Sequence, residues 1–462
     1  MIHLERLEEL RKSLRVKGEG EKKELSHIIN KRAHMLPFQT RNPERAKFKN
    51  GFLPVIGQFV RYADSKKLGA DIDNREVIQN IKDKVRMDES DAPHFEKVLE
   101  KFLLQSENFR ILHPFMLSYV PLSDSQEATG EKNIALYMHN ALLKGDESVF
   151  HDILHGSEKG HVLTKLVRDH MPELEKEAAQ NNYPQPLDFI SGYFKEDLLF
   201  LARHEEYFLQ HIELFLAYYY FFSISQLTLK LNQFDKAEDD RPTDLYYNLD
   251  WEASSRNRAA YKRGYSQVKE SARNLLVHIN TLEHLNFIFD VKNQDYLRLL
   301  TTFENKDENE RKEVISALRH WIKEYSSIAM KEEVSVQDDM TVNDLMRELF
   351  KTIKKVYGQS TRAGTESRYA LGIEEIGKRY FLKTRGALGH TLNVTQDFLL
   401  LMAALVVKDE KISLKKMFKE LEKRGLFFDR QSQEEIQEMF DKLNLIEKKS
   451  DSGDAQYVKP IL

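Results

Sequence analysis

Histidines and carboxylates at helical spacing are the first candidates for chemistry in this sequence. His151 and His155 stand four apart with Asp152 between them, a spacing that sets two imidazoles on one helix face where a divalent metal could sit. His204, Glu205, Glu206 and His211 form a second set, suited in type to metal binding or acid–base work. With 16 His in the chain, such pairs arise readily by chance. Solvated, capping or hydrogen-bonded core histidines are therefore the simpler expectation for both sets. Nucleotide hydrolysis needs a phosphate cradle, and GxxxxGK[ST] is absent; the polar loop Gly358–Gly364 (GQSTRAG) has glycines and hydroxyls but no following Lys-Ser/Thr. GxSxG, GxGxxG and HExxH are also missing. Glu21-Lys22-Lys23 and Glu447-Lys448-Lys449 match a nuclease Glu-x-Lys fragment by composition alone. The lack of cysteine excludes thiolate metal sites, disulfides and cysteine nucleophiles. No catalytic residue, metal site or cofactor is assigned on these grounds.

What the sequence does concentrate is positive charge. The formal net charge is only −4. Residues 31–61 nevertheless hold Lys31, Arg32, Arg41, Arg45, Lys47, Lys49 and Arg61 against Glu44 alone. Residues 351–386 hold Lys351, Lys354, Lys355, Arg362, Arg368, Lys378, Arg379, Lys383 and Arg385 against three glutamates. Segment 254–273 adds Arg256, Arg258, Lys262, Arg263, Lys269 and Arg273 against Glu270. Clustered Lys/Arg is what phosphate neutralisation and counterion release require. A solvated face, or pairing with the chain's own acidic helices, is the competing expectation. Lys448, Lys449 and Lys459 near the C-terminus extend the candidate DNA-contacting set.

The elements that must position these residues read as helices. Gly (19) and Pro (11) are scarce, which leaves little room for the tight turns of an all-β protein. The first 30 residues read as a charged helix, a Gly18–Gly20 break and a second helical stretch, followed by a basic arm interrupted by Pro37, Pro43, Gly51 and Pro54. Residues 62–345 repeat the 3.6-residue apolar period, with one helix expected from His94 to Phe109. The uncharged run Leu214–Leu229 is too short to span a bilayer and fits a helix at the centre of a bundle. Without a signal-peptide core, the expected location is the cytoplasm. Residues 346–389 form a basic helix-loop-helix connector. Beyond 390 the expected order is helix Thr395–Val407, a short strand at Ile412, a helix capped by Ser413, a third helix capped by Ser432, and a hairpin through Ile446 and Tyr457. The expected class is mainly α: a large multi-helix domain followed by a winged-helix-like α+β domain. The third helix carries Glu434, Glu435, Glu438 and Asp441, which would repel phosphate and favours a protein partner there.

Four strings also bear a resemblance: Leu36–Arg61, Gly389–Leu401 (GHTLNVTQDFLLL), Arg424–Ser432 (RGLFFDRQS) and Lys448–Leu462 (KKSDSGDAQYVKPIL). Through these the chain resembles the DptG family of DNA phosphorothioation-dependent restriction proteins. That resemblance implies a bacterial defence complex that attacks DNA lacking phosphorothioate marks, with partner subunits that include an ATPase of helicase type. The missing phosphate cradle fits a motor supplied by a partner. The expected role is a non-catalytic adaptor that holds DNA without sequence preference. A metal-dependent nuclease built on the histidine sets, and a winged-helix transcription regulator, are the alternatives from other classes.

Overall fold

The computed structural model describes residues 2–18, 23–69, 74–105, 108–155, 162–184, 187–359, 364, 368–448 and 456–462. In chain order the helices are α1 (Ile2–Ser13), α2 (Leu53–Ala63), α3 (Asn74–Lys84), α4 (Ala92–Leu103), α5 (Ala128–Met138), α6 (Ser148–His155), α7 (Val162–His170), α8 (Asp188–Ala202), α9 (Glu205–Gln233), α10 (Ala259–Lys262), α11 (Tyr265–Ala272), α12 (Leu275–Phe289), α13 (Tyr296–Glu304), α14 (Glu308–Met330), α15 (Val342–Gln359), α16 (Leu371–Ile376), α17 (Gln396–Val407), α18 (Leu414–Lys423) and α19 (Arg430–Lys442). Strands are short, and the chain is mainly α. The apolar core is continuous from Leu7 to Val458. A smaller cluster joins α3, α4 and α7 through Ile81, Leu99, Leu103 and Val167.

α9 is the axis of the molecule. The uncharged run lies within it, and Phe215 through Leu231 are all buried. Three consecutive tyrosines are inside because two hydroxyls find strong acceptors there. Tyr218 donates to the Arg424 carbonyl, and Tyr219 donates to Asp197 at 2.5 Å. Among the described residues no helix is long and apolar enough to cross a membrane.

The basic stretch 31–61 is not a free arm. Ala33, Met35, Leu36, Phe38, Phe48 and Phe52 are buried in the main core, and α2 follows directly. The second helix expected within the first 30 residues does not form over residues 23–30. The backbone there has other partners: Lys17 and Glu24 exchange hydrogen bonds of 3.0 and 2.9 Å. Just beyond, the amides of Lys31, Arg32 and Ala33 all donate to the buried Glu283 carboxylate of α12. One carboxylate thus satisfies three successive amides that a helix would have used internally. The helix expected from His94 to Phe109 stops at Leu103, and 104–105 pairs with 108–109 as an antiparallel hairpin.

Strands β1 (Lys66–Lys67) and β4 (Glu175–Lys176) pair antiparallel, with the 104–105 and 108–109 strands as β2 and β3 between them in sequence. β5 (Asn248–Leu249) runs parallel to β7 (His390–Val394), which is antiparallel to β6 (Leu382–Thr384). The last sheet has order β8 (Ile412–Ser413), β10 (Gln456–Val458), β9 (Ile446–Lys448), all antiparallel, with Val458 opposite both Ile412 and Ile446. α17, β8, α18, α19, β9 and β10 therefore follow in the expected order. Ser413 Oγ accepts from the Lys416 amide at 3.2 Å and caps α18. At α19 the cap is Asp429, not Ser432: the Asp429 carboxylate takes the Ser432 amide at 3.1 Å, and the Ser432 hydroxyl is drawn inward to Glu252 at 3.0 Å. Gly425 ends α18 at φ +82, where a Cβ would also collide with the Phe222 ring.

This C-terminal unit is bolted to α8 by a buried ion pair. Arg424 Nε and Nη2 donate to Asp197 at 2.6 and 2.7 Å, the guanidinium stacks on Tyr193 at 4.8 Å, and both charged groups are almost fully enclosed. A second anchor joins Arg258 to Asp429 at 2.7 and 2.8 Å and to Glu252 at 3.1 Å.

Candidate functional site

The described cations that bear on a candidate interface fall into two groups. Several are spent on the protein's own fold. Arg32 pairs with Glu9 and Asp290 at 3.0 and 3.3 Å and lies over Phe287. Arg45 is 6 % exposed and pairs with Glu375, while Arg61 is 2 % exposed and donates to the carbonyls of Ser118 and Val120. Arg385 donates to the carbonyls of Glu252 and Leu249 and to Asn393, tying β6 to β5 and β7. Lys383 holds Asp250 at 2.6 Å and Lys378 holds Glu374 at 2.5 Å. Lys448 is 3.2 Å from Asp441, and Lys459 donates to Asn444 at 3.3 Å. Lys47 and Lys49 share Glu127 at 3.7 and 3.8 Å, and Arg41 pairs with Glu44. Arg368 donates to the Gly364 carbonyl, and Arg379 lies over Tyr380. Lys31 is exposed. Arg362 and Lys449 lie outside the described residues.

A second group surrounds an open cleft of about 780 Å³ between the C-terminal unit and the body. Lys230, Lys236, Arg241, Arg263, Lys419 and Lys423 line it against Glu238, Asp244 and Glu422, with Pro242, Thr243 and Phe427 completing the walls. Three structural causes bring them together. The end of α9 supplies Lys230, the α10–α11 corner supplies Arg263, and α18 turns its Lys419/Lys423 face inward because Met417 and Leu421 are buried on the other side. The opening is fixed by backbone pairing of Tyr246 and Tyr247 with Phe427, including an amide from Tyr247 to the Phe427 carbonyl at 2.9 Å. Lys230 at the floor donates to the carbonyls of Glu238 and Arg241, and burial pulls its ammonium down to about 8. Arg241 and Arg263 are paired to Glu238 and Asp244. Lys236 and Lys419 are exposed, as are Lys262, Lys269 and Arg273 on the adjoining α10–α11 ridge.

The ridge links this cleft to the 374–390 stretch. Tyr265 hydrogen-bonds Glu374 and stands 6.3 Å from the His390 ring, and Lys269 and Lys378 both lower the Glu374 carboxyl. Segments 254–273 and 374–390 are thus neighbours. From the 31–61 stretch Arg45 reaches them through Glu375, and Phe52 packs edge-on against Tyr380. Lys230, Lys236, Arg241, Lys419 and Lys423 are the site residues that charge runs alone missed. They lie on two segments, 230–241 and α18, both outside the three basic runs of the sequence.

The two histidine sets behave differently. His204 precedes α9, and His211 stacks on Tyr207 at 3.9 Å while hydrogen-bonding the Tyr207 carbonyl and Asp397 at 3.0 and 3.2 Å. That is the hydrogen-bonded histidine expected of a helix near the core. His151 and His155, in contrast, project from α6 toward Asp64, the residue that ends α2. α6 is seated on α2 by Phe150 against Phe59, ring centres 5.2 Å apart at 86°.

A scan of protein-family models matches none to this chain, and a search of curated proteins finds no match.

Proposed function

We propose that this chain is a non-catalytic, DNA-contacting adaptor subunit of a restriction complex of the kind implied by its resemblance to the DptG family. The observation that carries the DNA contact is the open cleft with six cations against three carboxylates, continued by exposed Lys262, Lys269 and Arg273 on the ridge. Its lysines and arginines suit a phosphate backbone, so binding is without sequence preference. On this reading the contact lies on the cleft and ridge, and Arg32, Arg45 and Arg61 of the 31–61 stretch serve the protein's own fold.

The C-terminal unit reads as winged-helix-like: helix, strand, helix, helix and hairpin, with sheet order β8-β10-β9. Its third helix, α19, presents Glu434, Glu438 and Asp441 to solvent. Arg430, Lys442 and Lys448 pair with them. An acidic third helix argues against major-groove insertion and for docking a basic face of a partner subunit, such as the ATPase that the chain's own sequence lacks. The proposed role fits a cytoplasmic location.

The expected result is salt-sensitive binding of duplex DNA by the whole chain. The combined substitution of Lys236, Lys262, Lys269 and Lys419 by alanine lowers the slope of log affinity against log salt by about 3 to 4, at about 0.9 per lost phosphate contact. Fluorescence anisotropy over a salt series measures it. An unchanged slope, or no DNA binding by the parent protein, contradicts the reading.

A further inference from the structure

We propose that Asp64, His151 and His155 form a binding site for one divalent transition-metal ion of the Zn²⁺ class. The fold assembles this cluster from two helices. Asp64 ends α2, its backbone amide held by the Val60 carbonyl at 2.9 Å, and its carboxylate is 8 % exposed. His151 and His155 are i and i+4 on α6, with ring centres 4.6 Å apart and both imidazoles reaching solvent. It is the one group of three such side chains, among the described residues, whose donor atoms lie within 4.8 Å of one another.

The distances suit metal ligation. Asp64 Oδ1 is 3.4 Å from His151 Nδ1, and both carboxylate oxygens are 3.2 Å from His155 Nε2. Ligand atoms about 2.0–2.1 Å from a tetrahedral Zn²⁺ lie about 3.3 Å from one another. The donor set of two imidazoles and one carboxylate selects a borderline ion over Mg²⁺ or Ca²⁺, which take oxygen ligands. Three protein ligands on a solvent-facing ledge leave the fourth position to water. The end of α2 is also tied to the start of α6 by Ser65, next to Asp64, which donates to Glu147 at 3.4 Å. Phe150 and Leu154, buried on the adjoining face of α6 about 100° around the helix, fix the rotation that turns both histidines toward Asp64. The ion would cross-link the end of α2 to α6.

Hydrogen bonding of the carboxylate to the two imidazoles is the competing use of the same geometry, and metal binding separates the two. The test uses the full chain, freed of any affinity tag and of metal, titrated with Zn²⁺ by calorimetry and with Co²⁺ by visible absorption. The expected result is one equivalent of Zn²⁺ and a four-coordinate Co²⁺ spectrum. Asp64→Asn and His155→Ala each weaken the affinity at least about tenfold, while His320→Ala, an exposed histidine elsewhere, leaves it unchanged. Far-ultraviolet circular dichroism shows that each variant keeps its helices. No stoichiometric binding by the parent chain, or binding that survives both ligand substitutions, overturns the proposal.

Discussion

Replacing Asp197 by alanine is expected to destabilise the protein by about 3–5 kcal/mol, because it leaves the Arg424 guanidinium buried without its counter-charge. The pair is bidentate at 2.6 and 2.7 Å, and the Tyr219 hydroxyl adds a third bond to the same carboxylate. Burial pulls the Arg424 guanidinium down, but its bonds to Asp197 more than offset this and hold it above the ordinary arginine value. Burial pushes the Asp197 carboxyl up against the pull of Arg424 and Tyr219. The pair is ionised because only that state uses both short hydrogen bonds. Asp197→Ala combined with Arg424→Met removes both charges and is expected to cost less than Asp197→Ala alone. Urea unfolding of the two variants measures this. A loss below about 1 kcal/mol in the single variant would show that the clamp does not hold the C-terminal unit.

The second large effect is sensitivity to mild acid. His278 and His284 of α12 are completely buried, and burial pushes each imidazole down to about 3. His278 Nδ1 is 2.9 Å from the Tyr296 hydroxyl, and His284 Nδ1 accepts from Trp321 Nε1 at 3.2 Å, so both rings sit neutral among aromatic side chains. In the unfolded chain each would take up a proton near the ordinary value of about 6.5. Their folded-state value is depressed, so the stability they confer is full above pH 6.5 and is lost as pH falls toward 3. Between pH 6.5 and 5 the two together cost roughly 3 kcal/mol. The buried carboxyls Asp197, Glu283 and Asp295, all raised by burial, act with the opposite sign. Comparing the parent with His278→Gln/His284→Gln isolates the histidine part. The variant should lose markedly less stability across that interval, and an identical pH dependence would refute the assignment.

Periodicity carried most of the fold. The apolar runs at 214–229 and 395–407 marked the central helix and α17, and the Ser413 cap marked α18, because these signals are local. The signals that failed depend on distant partners. Nothing near residues 23–33 announces that Glu283, some 250 residues on, will take three amides and keep that stretch out of a helix. Ser432 reads as a cap until the Glu252 carboxylate is brought beside it, when Asp429 does the capping. The candidate sites follow the same rule. The i, i+4 spacing of His151 and His155 was visible, but Asp64 lies about 90 residues earlier and joins them only through the packing of α6 on α2. Charge runs located Arg263 and missed Lys236, which stands beside Asp235, Glu238, Asp239 and Asp240, and Lys419 on α18, where Glu420 and Glu422 offset part of the lysine charge.

Lysine acylation of the whole chain, with and without duplex DNA and read by mass spectrometry, separates the cleft from the 31–61 stretch directly. Lys236, Lys262, Lys269 and Lys419 should be protected by DNA, while exposed Lys31 and Lys49 should react equally in both samples. Protection at Lys31 and Lys49 with none around the cleft, or no protection anywhere, would contradict the placement of the DNA path.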